Sequence, residues 1–191
     1  MNNIEIEIQV KIEKKENLID FLRENGDFKS ERHQIDEYFS PVHRNFINIR
    51  PVKEWLRIRD SQGKYSINYK NWHYDKEGKS DYCDEYESEI KDQEDMKKIL
   101  LSLNFKSLVK VDKLRKIWTY KDYEISLDSI KGLGDFVEIE YKDKEKIADP
   151  KKVTKDMIDF LKDVGCGKIE RNYLGYPFQL LFPEEIQHEE Q

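Results

Sequence analysis

At 191 residues, and with no internal stretch rich in Pro, Gly or Ser to serve as a linker, the chain is sized for one domain. Charged residues (39%) outnumber hydrophobic ones (37%), so the core must be economical and some charged groups belong inside. A net charge of -6 and a pI near 5.4 give no bulk attraction for nucleic-acid phosphates. There is also neither an apolar segment behind a charged start nor a long apolar run, so neither nucleic acid nor membrane is an expected partner, and the expected location is the cytoplasm.

The first strand is the clearest element. Ile4, Ile6, Ile8, Val10 and Ile12 alternate with Glu5, Glu7, Gln9 and Lys11, which puts a greasy and a charged set on opposite faces. Leu18, Ile19, Phe21 and Leu22 then recur at helical spacing up to Asn25-Gly26, a pair suited to the left-handed conformation that closes helices. Strand signals return over 34–39, 54–60, 64–71 and 85–90, with Ser61-Gln62-Gly63 as a compact hairpin connection, which reads as an antiparallel meander. Asp92 can cap a second helix carrying Met96, Ile99, Leu100 and Leu103 on one face. Further strands are expected over 108–120, 123–130 and 136–142, joined by Lys121-Asp122 and by Gly132-Leu133-Gly134. A third helix begins after Pro150, carries Met157, Ile158, Leu161 and Val164, and stops at Gly165. Residues 1–180 form the expected domain, and the polar stretch 181–191 is expected as a tail, frayed from Pro183 onward.

The polar strand faces carry chemistry. A half-buried sheet normally turns Thr, Ser and Lys to water. Here the faces carry Glu5 and Glu7, Lys70, Glu85, Glu87 and Glu89, Asp128, Glu138 and Glu140, with Arg57, Arg59, Lys113 and Arg115 of opposite sign. On a solvated sheet such pairs contribute about 0–1 kcal/mol each and their loss leaves function untouched. Turned into a barrel or tunnel, the acids could hold divalent cations while the bases hold phosphate oxygens. Other signals are weaker. Gly132-x-Gly134 lacks the rest of a dinucleotide fingerprint, and no Gly-Lys-Ser/Thr phosphate loop exists. His33, His43, His73 and His188 are scattered, and Cys83 and Cys166 lack metal-site spacing and read as free thiols. Trp55, Trp72, Trp118, Tyr65, Tyr69 and Tyr86 could stack on a base, although aromatic residues on strands usually pack the core or rim.

The order of motifs resembles the CYTH superfamily of triphosphate tunnel metalloenzymes, and within it the class IV adenylyl cyclase group. The family's opening Glu-x-Glu-x-Lys looks like Glu5-Ile6-Glu7-Ile8-Gln9, and its Asp-x-Tyr-Phe strand like Asp36-Glu37-Tyr38-Phe39. Leu56-Arg57-Ile58-Arg59, Tyr69-Lys70 and Asp84-Glu85-Tyr86-Glu87-Ser88-Glu89 follow in the family's order. Then come Val111-Asp112-Lys113-Leu114-Arg115, Ser126-Leu127-Asp128, and the segment from Gly132 to Glu140. Each motif is unspecific by itself; their ordered set is not. The resemblance implies an α+β fold, an eight-stranded antiparallel closed barrel or tunnel with helices packed outside.

By that resemblance Glu5, Glu7 and Glu138 are expected metal ligands for Mg2+ or Mn2+, with Glu140, Asp128 and Glu87 as further candidates. Arg57, Arg59, Lys70, Lys113 and Arg115 are expected to bind ATP or another triphosphate, with Asp128 beside them. Glu5, Glu7, Lys113, Arg115 and Glu138 form the expected catalytic set. Gln9 stands where the family has lysine, and Lys11, on the same side of the strand, is the candidate substitute. Three readings stay open: conversion of ATP to cyclic AMP and pyrophosphate, hydrolysis of a triphosphate, and binding of polyphosphate or nucleotide without turnover. Association as a homodimer is open as well.

Overall fold

The computed structural model describes residues 4–142, 149–171 and 173–191. The elements, in chain order, are β1 (Ile4–Ile12), α1 (Lys15–Asn25), β2 (Asp27–Pro41), β3 (Glu54–Ser61), β4 (Lys64–Tyr74), β5 (Ser80–Ile90), α2 (Gln93–Ser102), β6 (Phe105–Tyr120), β7 (Tyr123–Ile130), β8 (Gly134–Tyr141), α3 (Pro150–Asp163), β9 (Ile169–Arg171), α4 (Tyr176–Leu181) and β10 (Glu189–Glu190). The strands run in the order β10-β9-β1-β5-β4-β3-β2-β6-β7-β8, and β1 also pairs with β8. That extra pairing closes β1 to β8 into an eight-stranded antiparallel barrel, as the motif order implied.

The turns follow from local chemistry. Gln62 (φ 55°) and Gly63 (φ 85°) are both left-handed, the two-residue turn whose twist matches that of the flanking strands. Gly132 and Gly134 have φ near +90°, a conformation glycine adopts without steric cost, and they turn β7 into β8. Asp92 caps α2 by accepting from the amides of Glu94 and Asp95, and Asp149 caps α3 ahead of Pro150.

The barrel is covered on the outside. Ile6, Ile8 and Val10 of β1, Ile125 of β7, and Val137 and Ile139 of β8 pack against Leu18 and Leu22 of α1 and Met157, Ile158 and Leu161 of α3. Because strand side chains alternate, burying this apolar set under helices forces Glu5, Glu7 and Gln9 into the barrel. A second cluster places Leu100 of α2 on Phe39 and Ile58. A third lies on the inward strand faces, where Tyr176 and Phe178 of α4 pack against Val52, Val111, Ile130 and Phe136, and Tyr38, Trp55 and Tyr176 also line the cavity. Neither α4 nor β9 was expected.

Three local expectations are corrected. Gly26 is extended (φ -104°), not left-handed; a Cβ there would stand 3.0 Å from the Leu22 carbonyl oxygen, a tight approach made as the chain enters β2 directly. Ile99 and Leu103 point to solvent, since the short α2 buries only a narrow stripe through Leu100 and Met96. The end of the expected frayed tail is paired: Glu189 and Glu190 form β10 along β9, and Lys79 Nζ lies 2.7 Å from Glu189.

Leu161 is fully buried between α3 and the barrel wall. Leu161→Ala should therefore cost about 2–5 kcal/mol in urea unfolding. A loss below about 1 kcal/mol would mean that α3 does not clamp the barrel.

Candidate active site in the barrel interior

A cavity of about 540 Å³ runs through the barrel. Its basic wall comes from Arg57 and Arg59 of β3, Lys70 of β4, and Lys113 and Arg115 of β6. Its acidic wall comes from Glu5 and Glu7 of β1, Glu85 and Glu87 of β5, and Glu138 and Glu140 of β8. Strand register produces this division: Glu7 stands opposite Glu140 and Gln9 opposite Glu138 across the β1–β8 seam, while Asp36 stands opposite Arg59 across β2–β3.

Asp36 anchors the basic wall. It is fully buried; Arg59 donates to both its oxygens at 2.7 and 2.8 Å, and Arg57 and Lys113 lie at 3.5 and 3.7 Å. Burial alone would raise its pKa, but Arg59, Arg57 and Lys113 outweigh that and hold it well below the usual carboxylate range. One carboxylate thus faces three cations, which leaves that wall net positive. The Nε of Arg57 is buried and has no partner among the described residues.

Arg115 is oriented by Asp128, to which Nε and Nη2 donate at 2.6 and 2.5 Å, while Tyr176 Oη donates to the same carboxylate at 2.9 Å. Nη2 also reaches Glu138 at 2.9 Å. Burial opposes ionisation of Glu138, yet Arg115 and then Lys113 bring its pKa to about 2. Lys113 is itself pushed down to about 8, by burial and then by Arg115.

The acidic wall is less well balanced. Lys70 Nζ bonds Glu5, lies 3.3 Å from Glu7 and 3.8 Å from Glu85. Burial, followed by the charge of Glu5, raises the pKa of Glu7 well above its usual value and that of Glu140 to about 7. These are hard oxygen donors short of positive charge, which fits the chemistry of Mg2+ or Mn2+. Among the described residues no three His, Cys, Asp or Glu side chains converge on one point; Lys70 lies among Glu5, Glu7 and Glu85, and Arg115 beside Glu138.

The CYTH-domain pattern matches residues 3–172, nearly the whole described chain. The chain belongs to the CYTH family. A candidate adenylate cyclase of Methanocaldococcus jannaschii is 37% identical over 175 residues, which cover 90% of this chain and 97% of that protein. A solved structure from Pyrococcus horikoshii OT3 aligns over 94% of this chain and 99% of its own, at 28% identity and a TM-score of 0.72. A candidate adenylyl cyclase from Hippeastrum, described as revealing a dominant triphosphatase activity, covers 94% of this chain and 95% of its own at 20% identity and a TM-score of 0.65, a likeness of fold alone.

Against this CYTH barrel most expected site residues face the cavity: Glu5, Glu7, Arg57, Arg59, Lys70, Glu87, Lys113, Arg115, Glu138 and Glu140. Two do not. Lys11, the expected substitute for the family lysine, does not line the cavity, because β1 leaves the barrel seam at Val10 and continues along β9. Its Nζ lies 3.5 Å from the Leu133 carbonyl and 4.8 Å from the Phe136 ring centroid. Asp128 lies behind the wall and holds Arg115 instead of lining the cavity. Asp36 and Tyr176 were given no role from sequence, and Glu85 was read only as one of the strand-face acids. Asp36 and Glu85 share the inward alternation of their strands; Tyr176 arrives on α4, whose six residues show no helical period in the sequence. No described helix is long and apolar enough to cross a membrane.

Asp36→Asn would leave three buried cations facing one another and should lower stability by about 3–5 kcal/mol. Added tripolyphosphate should recover part of that loss in a thermal-shift series; a neutral substitution would remove Asp36 from the centre of the basic wall. Lys113 makes a pH prediction. A polyanion favours its charged form, so binding takes up a proton once the free side chain begins to lose its own, and tripolyphosphate affinity falls as pH rises above about 8. Calorimetry in two buffers of different ionisation enthalpy at about pH 8.5 should show this uptake in the wild type and less of it in Lys113→Arg.

Proposed function

We propose that this CYTH protein is a divalent-metal-dependent enzyme acting on a triphosphate, and that its reaction is conversion of ATP to cyclic AMP and pyrophosphate. The observation that carries the reading is the pairing of a net positive wall around Asp36 with an undercompensated acidic wall across one enclosed cavity. Among the described lining residues Arg57, Arg59, Lys70, Lys113, Arg115 and Lys142 supply six cations, against seven glutamates. A triphosphate bringing about four more negative charges would need additional positive charge to enter, since phosphoryl chemistry depends on electrostatic neutralisation.

Glu5, Glu7 and Glu138, with Glu140 and Glu87 nearby, would hold Mg2+ or Mn2+, which when bound supplies Lewis-acid neutralisation of charge on phosphate oxygens. Arg57, Arg59, Lys70, Lys113 and Arg115 bind and orient the chain of phosphates, and Asp128 fixes the guanidinium plane of Arg115. In the cyclase reaction the ribose 3′ oxygen forms a bond to the α-phosphorus as the bond to the bridging oxygen breaks and pyrophosphate leaves. The 37% identity to a candidate adenylate cyclase supports this choice. The second reading, hydrolysis at the terminal phosphorus, is favoured by the triphosphatase activity described for the Hippeastrum structure.

Incubation with ATP, tripolyphosphate and thiamine triphosphate, each with magnesium or manganese, followed by chromatography of the products, separates the readings. Cyclic AMP with pyrophosphate is the expected outcome; orthophosphate alone establishes the second reading, and tight binding without product overturns both. Glu138→Ala should lower metal-dependent turnover by about a hundredfold or more. Unchanged turnover would remove Glu138 from the site.

A further inference from the structure

Gln9 lines the cavity on β1, next to Glu7 on the same face and opposite Glu138 in register. Its amide direction is determined by its neighbours. The Leu174 carbonyl can only accept, so the group of Gln179 that meets it at 3.0 Å is the amide nitrogen. The same Nε2 meets Gln9 at 3.1 Å, which uses its second N–H and requires an oxygen on the Gln9 side. Gln9 Oε1 is therefore turned toward α4, and Gln9 Nε2, with two N–H donors, is turned away from it. Among the described residues this Nε2 has no protein acceptor. Gln179 belongs to α4 and is almost wholly buried, so it cannot turn without unpairing its own amide.

We infer that Gln9 is a neutral, direction-fixed donor to a phosphate oxygen of the triphosphate, and that Gln179 is the positioning residue that keeps its N–H groups facing the cavity. The inference rests on the triphosphate reading of the site and deepens it. It gives the unexpected α4 a role in recognition as well as in packing. A lysine ammonium donates in every direction and needs no such partner; a glutamine presents donor or acceptor according to which way its amide is held. A reversed amide would set a carbonyl oxygen against a polyanion.

The test is a double-mutant cycle read by titration of tripolyphosphate. Gln179→Met keeps the side-chain length and removes the amide, and should weaken binding about five- to tenfold. Gln9→Leu should weaken it by a similar factor, with the double variant little worse than either single one. Gln9→Lys should bind at least as well as the wild type and should make Gln179→Met silent, because an ammonium needs no orientation. Equal weakening by Gln179→Met in the Gln9 and Gln9→Lys backgrounds would overturn the inference and show that Gln179 acts only by packing α4. Thermal unfolding of each variant checks that the fold is kept. Loss of tripolyphosphate binding in the wild-type protein itself would instead overturn the triphosphate reading, so the two failures are distinguishable.

Discussion

Charge buried inside a barrel must be cancelled from within. Here Asp36 supports Arg57, Arg59 and Lys113, and Asp128 supports Arg115, so six of the groups that would be costliest to desolvate stabilise one another. Everything else in the architecture serves this arrangement. Where the inward strand faces are charged the apolar ones point outward, and α1, α2 and α3 are amphipathic covers for the apolar surface that results. A conventional small barrel fills its interior with apolar side chains; this one keeps a charged cavity beside an apolar cluster closed by α4, and places the rest of its core under the outer helices.

The cancellation is uneven in a useful way. Around Asp36 positive charge exceeds negative; along the β1–β8 seam Glu7 and Glu140 face each other with too little compensation, and burial raises both. A ligand that brings both a polyanion and a cation would relieve both imbalances at once. Preorganised charge of this kind needs no rearrangement when the ligand arrives, which is the condition under which electrostatic stabilisation contributes most to catalysis.

Much of the site was legible because strands obey a period of two. Once Ile6, Ile8 and Val10 were assigned to one face, Glu5, Glu7 and Gln9 had to share the other, and the same reasoning placed Arg57 with Arg59 and Lys113 with Arg115. Periodicity could not say where a strand leaves the barrel. Lys11 has the right parity but lies beyond the seam. Nor could it separate a residue on the cavity wall from one just behind it, which is why Asp128 was expected to meet substrate and is found holding Arg115.

The sequence by itself determined the alternation, the cap at Asp92, the hairpin turns and the inventory of opposite charges, because these depend on neighbours within a few positions along the chain. Which charges cancel was decided only by closure of the barrel, since Asp36 with Lys113 and Glu7 with Glu140 meet through pairings between strands far apart in sequence. The last decision fell to α4, whose six residues carry no readable period and yet bring Tyr176 to Asp128 and Gln179 to Gln9. A contact spanning 170 positions is set by where the chain returns in space, and no local pattern records that.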